Sequence, residues 1–219
     1  MDLGSQLRAE AFRCQICTGN TDFRTPLQGI PYTKFPPIIG AQGEAQVLFI
    51  GINPRRSNTN LKLHEWLMES SDHFDQLAKN HYFDGRAYIA SNGPEPHYHS
   101  HMIVIEGVFE KGRLFESVAA VTELFLCASE KAPPTFNKSP CADRYLSRVI
   151  ERVQPKVIIA VGSTVKKHLG QHFQMLTGVP IEQMAHPRNL WGLSYQEKVC
   201  RLQPTINKVR KILDKEESK

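Results

Sequence analysis

The chain has 219 residues, 41% of them hydrophobic and 22% charged, enough for one substantial core and typical of a soluble globular protein. No apolar run approaches the roughly 18 residues that a membrane helix needs, and Met1-Asp2-Leu3-Gly4-Ser5 lacks the basic-then-apolar layout of a secretory signal, so a cytoplasmic protein is expected. The net charge of +5 favours polyanionic partners, nucleic acid first among them.

Residues 3–13 read as a short helix that delivers Cys14 and Cys17, a C-x2-C pair. A connection rich in proline and glycine, residues 26–43, leads to Val47-Leu48-Phe49-Ile50, an apolar run expected to form a strand buried on both faces. It runs into Gly51-Ile52-Asn53-Pro54, where Pro54 biases Asn53 away from helical geometry and holds it at the strand's end. Ligands of open α/β sheets bind at the carboxyl ends of strands. The following Arg55-Arg56 is either a solvated loop or a place where a nucleic-acid strand passes. Residues 61–77 form an expected helix with Leu63, Trp66, Leu67 and Phe74 on one face.

Residues 79–112 carry turn signals but no clear assignment beyond a strand or ribbon over His97–Ile105. On such a strand His97, His99 and His101 share one face, which suits a zinc ion, a phosphate-contacting ribbon or a solvated edge. Ser117–Leu126 reads as a second strand ending at Cys127, and Pro133, Pro134 and Pro140 keep the chain irregular up to Cys141. Ala142–Val153 has the apolar spacing of a one-sided helix, broken at Gln154-Pro155. Lys156–Gly162 reads as a buried parallel strand, followed by a helix capped by Ser163 or Thr164 and stopped at Gly170. After a polar loop with His186-Pro187, Ser194 and Glu197 form a capping box opening the last helix. Pro204 is expected to kink or split that helix, and the tail from Asp214 to fray. The helix–strand–helix rhythm means an α/β fold with a parallel sheet.

Gly51-Ile52-Asn53-Pro54 at the first strand's end and Ala185-His186-Pro187-Arg188-Asn189-Leu190 late in the chain, in this α/β setting, resemble the two motifs of the uracil-DNA glycosylase superfamily. Gly-Ile-Asn-Pro is similar to the first motif of the mismatch-specific branch. The stretches Ile38–Ala45 and Cys141–Leu169 look like the iron–sulfur family 4 branch, and the resemblance covers roughly residues 1–54 and 117–200. It implies a three-layer sandwich with a central, mostly parallel four-stranded sheet. Cys14, Cys17, Cys127 and Cys141 follow the order of the family 4 ligands of a 4Fe–4S cluster, although four thiolates also suit a structural zinc. Cys200, on a helical pattern, reads as a core residue.

The resemblance implies that Asn53 and His186 are catalytic. The Asn53 carbonyl holds a water under C1′, and His186 donates to the base O2 as charge develops there. Gly51 and Ile52 line the base pocket. An aromatic that stacks on the base falls at Trp66, which reads equally as a core residue of its helix; Phe74 and Phe83 are other candidates. Arg188, Asn189 and Leu190, with Trp191, belong to a loop that enters the minor groove, and Arg55 and Arg56 join them as DNA-binding residues. Glu123 departs from the pattern: family 4 has an asparagine there that reads O4 and N3–H of uracil. An ionised carboxylate only accepts hydrogen bonds, so Glu123 suits a base edge with adjacent donors, or acts protonated. The expected protein is a monomeric, single-domain (1–219), monofunctional DNA glycosylase acting on uracil or a related deaminated or damaged base in DNA. A non-catalytic nucleic-acid-binding member of the fold and a zinc-stabilised α/β ligand-binding protein are the other readings.

Overall fold

The computed structural model describes residues 3–14, 38–40, 45–52, 99–109, 115–126, 142–172 and 178–217. Five strands, β1 (Ile39–Gly40), β2 (Val47–Gly51), β3 (Ala119–Glu123), β4 (Val157–Val161) and β5 (Ile181–Met184), form one sheet in the order β1-β3-β2-β4-β5. The four longer strands make the all-parallel central sheet with flanking helices expected from the sequence. Val47 pairs with Val157 and Ile50 with Ala160, while Ile158 pairs with Ile181 and Val161 with Met184. The reason is plain in β2 and β4. Val47–Ile50 and Val157–Val161 are continuous apolar runs buried throughout, and only a strand covered on both faces can use such a run.

The strand order also marks a point where the connectivity reverses. From β2 the chain proceeds to β3 on one side, then returns past β2 to β4 and continues outward to β5. The reversal makes the carboxyl ends of β2 and β4 the topological switch point, where doubly wound sheets open to ligands.

The chain groups into two compact units, residues Met1–Gly40, Ile52–Pro94 and Thr122–Arg152 in one and Ala41–Gly51, Glu95–Val121 and Val153–Lys219 in the other. In the first, helix α1 (Leu3–Arg13) buries Leu7 and Ala11. A π-helical turn, Ala142–Leu146, leads into an α-helix, Ser147–Val153, so the expected Ala142–Val153 helix forms with a widened first turn. Its Leu146, Val149 and Ile150 are buried as their spacing requires. Arg148 donates to both carboxylate oxygens of Glu10, at 2.7 and 3.1 Å. That hydrogen bond holds the Glu10 carboxyl below its usual range, and the pair ties α1 to the later helix.

In the second unit, helix α2 (His99–Val108) packs on the long C-terminal helix α6 (Tyr195–Glu217). Ile103, Val104 and Ile105 face this core from α2, and Leu202, Ile206, Val209 and Leu213 from α6. Gly107 permits the approach, because a Cβ there would stand 2.6 Å from Ile206 Cδ1. The helix Ser163–His172, here α5, covers β4 and β5. No helix among the described residues is long and apolar enough to cross a membrane.

Several expectations need correction. Residues 99–105 are helical, not a strand or ribbon; a short apolar run such as Ile103–Ile105 is compatible with either, and packing against α6 decides it. Residues two apart on a helix diverge by about 200° around the axis, so His99 and His101 do not share a face. His101 is buried, its ring 4.6 Å from that of Phe49, and His97 lies outside the described residues. β3 ends at Glu123, after a one-turn helix, Phe115–Val118, and does not reach Cys127. Gly170 lies inside α5 rather than at its end. The last helix runs unbroken through Pro204 and on to Glu217. Its buried residues on both sides of Pro204 offset the roughly 3 kcal/mol that an interior proline costs. Cys200 is exposed, not core. The expected helix over residues 61–77 lies outside the described residues.

Candidate active site

The second unit presents a built constellation at the switch point. β4 ends at Val161, and Gly162 follows with φ +93°, a left-handed conformation that a side chain strains. Its N–H donates to the Met184 carbonyl at 3.0 Å, and its own carbonyl accepts from Lys166 N–H at 3.2 Å. A Cβ at this position would lie 3.4 Å from both Cβ and Cδ2 of His186. Gly162 is therefore the seat of the imidazole. The backbone bond to Met184 sets the distance between the end of β4 and the turn that carries His186.

His186 is extended (φ −62°, ψ 135°), as a residue before proline should be, and caps a 3-10 turn, Pro187–Leu190. Its carbonyl accepts from Asn189 N–H at 2.8 Å, and its Nδ1 accepts from Arg188 N–H at 3.2 Å. In the neutral ring an Nδ1 that accepts leaves the hydrogen on Nε2. The local chain thus determines that Nε2 is the donor atom and holds the ring in one orientation. Pro187 at its first position favours the tight turn, and the buried Leu190 anchors it.

Beyond the histidine the turn divides into two faces. Pro187 and Leu190 are buried, whereas Arg188 and Asn189 are exposed. Leu190, expected with Arg188 and Asn189 in a minor-groove loop, is buried; Trp191 beside it is 52% exposed, next to Gly192 at φ +74°. Tyr195 is also exposed, and its hydroxyl donates to Glu106 at 3.3 Å. The Ser194–Glu197 capping box closes as expected. Ser194 N–H donates to the Glu197 carboxylate at 2.8 Å, and Glu197 N–H to Ser194 Oγ at 3.4 Å.

The first unit, described by itself, holds the residues that follow β2 and those that close β3. Gly51 closes β2 and Ile52 follows it. The Ile52 carbonyl accepts from Phe125 N–H at 3.0 Å, so the chain leaving β3 runs beside the chain that leads to Asn53. Glu123 is the last residue of β3. The residue is partly accessible, but its Oε2 is fully covered and has no hydrogen-bond partner among the described residues. Burial pushes its carboxyl up to about 8.

Asn53, Arg55, Arg56 and Trp66 lie outside the described residues, as do Cys17, Cys127 and Cys141. Cys14 follows α1, half-buried, with its N–H bonded to the Ala11 carbonyl at 3.2 Å. Among the described residues no three His, Cys, Asp or Glu side chains cluster closely enough to hold a metal ion.

Two features escaped the reading of the sequence. Gly162 as the seat of His186 had a signal, since Val161-Gly162-Ser163 is a strand-to-helix junction at a strand's carboxyl end. The covered, unpartnered carboxyl of Glu123 had none, because burial is a property of neighbours distant in sequence.

No curated protein matches the chain in sequence. The family profile of the uracil DNA glycosylase superfamily does match it, over residues 37–207. That span holds Gly51, Asn53, Glu123, Gly162 and His186. The match covers most of the chain, which therefore belongs to the uracil DNA glycosylase superfamily, whose members are generally DNA glycosylases.

Proposed function

We propose that the protein is a monofunctional DNA glycosylase that hydrolyses the N-glycosidic bond of a deaminated or damaged base, uracil or a related one, acting on DNA in the cytoplasm as a monomeric single domain. The observation that carries this reading is the fixed imidazole of His186. Arg188 N–H occupies its Nδ1 and Gly162 seats its ring, so Nε2–H is a donor organised before substrate arrives.

The chemistry follows from where charge develops. A base within a duplex is first flipped out of the stack. As the C1′–N bond breaks, its electron pair moves onto the base and negative charge grows on O2, while the sugar becomes oxocarbenium-like. Nε2–H of His186 donates to that oxygen, and a donor that needs no reorganisation lowers the barrier most. The Asn53 carbonyl accepts from a water held beneath C1′, which adds to the cation and releases its proton to solvent or the departing base. Gly51 and Ile52 line the pocket through their backbones, Glu123 faces the base edge, and Trp66 stacks on its ring. Arg55, Arg56, Arg188 and Asn189 contact the DNA. Burial of Leu190 gives it the part of anchoring the loop, and leaves Trp191 to fill the gap.

The test is base release from oligonucleotides carrying uracil, hypoxanthine or xanthine, as single strands and as mismatched duplexes. An abasic site with at least one substrate is expected. Its absence with all of them overturns the enzyme reading.

Cys14, Cys17, Cys127 and Cys141 are proposed to hold a 4Fe–4S cluster whose part is to cross-link the N-terminal segment to the region after β3. Brown protein with visible absorption that bleaches on reduction is expected. Colourless protein with one bound zinc overturns the assignment.

A further inference from the structure

We propose that Lys208, Lys211 and Lys215 of α6 form a second nucleic-acid surface, which holds the phosphates of a DNA duplex without regard to sequence and stands apart from the His186 turn. The surface extends the glycosylase reading and rests only on the partner in that reading, DNA. No step of base release enters it.

Helix geometry sets the face. At about 100° per residue, Lys208, Lys211 and Lys215 fall within an arc of about 60° and span about 10 Å of helix axis. All three are exposed, while Leu202, Ile206, Val209 and Leu213 fill the buried side of the same helix. Two contacts give the direction of the row. Thr205 Oγ1 donates to the Gln183 carbonyl at 2.9 Å, and Lys208 Nζ stands 3.4 Å from the Glu182 carboxylate. Helix α6 therefore runs antiparallel to β5, and Lys211 and Lys215 lie further toward the amino end of that strand. His186 follows β5 at its carboxyl end, so the row leads away from the imidazole.

Charge then names the partner. From Arg201 to Lys215, Asp214 is the one acid among the exposed charged side chains of α6, against Arg201, Lys208, Arg210, Lys211 and Lys215. Arg201 acts on the Glu197 carboxylate, and the Lys208 side chain stays 64% exposed beside Glu182. Lys211 and Lys215 have no acid partner among the described residues. Like charges three and four residues apart on one helix face oppose folding, and a polyanion laid along the row would reverse that repulsion. A DNA strand carries a phosphate about every 3.4 Å of its axis, and each one neutralised by a lysine releases condensed counterions. An apolar partner would find little to bury, because among the described residues α6 exposes no large hydrophobic side chain beyond Tyr195.

An undamaged duplex is the probe, so the result does not depend on cleavage. The affinity of the full-length protein for it is followed by fluorescence anisotropy as salt is raised. Lys211→Gln/Lys215→Gln should lower the slope of log affinity against log salt by about 1.8, two phosphate contacts, and weaken binding at about 0.1 M salt by more than about tenfold. Lys167→Gln/Arg210→Gln removes the same charge from exposed positions on α5 and on the other flank of α6. This control should keep its slope within about 0.5 of the parent's. All four side chains are exposed, so the unfolding temperatures of both variants should match that of the parent. No salt-dependent binding by the parent, equal slopes in all three proteins, or an equal fall in both variants overturns the proposal. Loss of binding to phosphatidylserine vesicles in Lys211→Gln/Lys215→Gln, with duplex binding intact, would give the face to a membrane surface and overturn it too. A protein that releases no base yet shows the expected slopes loses the glycosylase reading and keeps the surface; one that releases base with unchanged slopes does the reverse.

Discussion

His186 and Glu123 both stand just at or beyond the end of a strand, yet the protein treats their polar atoms in opposite ways. The imidazole is satisfied by its own turn: Arg188 N–H on Nδ1, Asn189 N–H on its carbonyl, and Gly162 beneath the ring. The carboxyl is buried and left with an oxygen unbonded among the described residues. Such a contrast distinguishes a group fixed by its own turn from one whose state is set by burial. Transition-state stabilisation rewards the former. The latter makes stability depend on pH, because burial favours the neutral form of an acid.

The contrast can be broken most directly at the histidine. His186→Ala should slow single-turnover base release by on the order of 10²–10³, the usual effect of losing one fixed donor to a developing oxyanion. A rate within threefold of the parent would mean that the imidazole is an ordinary capping residue.

The next largest effect is on stability, and its sign follows from burial. The folded Glu123 carboxyl is raised from 4.5 to about 8, so between these values the folded protein binds the proton that the unfolded chain has released. Stability contributed by the neutral acid is complete below the unfolded value and is lost as pH rises through the folded one. Between about pH 5 and about pH 8 the parent protein should lose on the order of 3 kcal/mol relative to Glu123→Gln in urea titrations. Parallel pH profiles for the two proteins would place the carboxyl in water.

A smaller perturbation sharpens the histidine side. Gly162→Ala adds a methyl 3.4 Å from the imidazole at φ +93°. The backbone strain alone is about 1–2 kcal/mol, and a displaced donor should slow base release by roughly tenfold. Loss of stability with an unchanged rate would show that the ring does not depend on its seat.

The smallest effect is expected at the other carboxylate. Glu10 is held below its ordinary range by Arg148, so its contribution is present above the unfolded value and fades as pH falls, opposite in sign to Glu123. The pair is substantially exposed, at 29% and 38%, and water screening limits it. Glu10→Gln should cost less than about 1 kcal/mol and leave base release untouched. A larger loss would show that α1 is more tightly coupled to its unit than one surface pair can explain.

Continuity of apolar residues made β2 and β4 legible in the chain alone, since Val47–Ile50 and Val157–Val161 have no other economical use than a doubly covered parallel strand. The capping box at Ser194 and Glu197 and the His-Pro turn were equally readable, because their physics is local: a few adjacent residues contain both donor and acceptor. Where partners come from afar the chain misled. His99–Val108 is helical because it packs on α6, with Gly107 against Ile206, and Pro204 stays within its helix because buried residues flank it. Leu190 turns inward and Cys200 outward for reasons that no local pattern encodes. The positions of Asn53 and His186 as candidates follow from strand ends and motifs in the sequence. The protonation of Glu123 and the seating of His186 on Gly162 were decided by tertiary structure, because desolvation and contact distance exist only once the chain is packed.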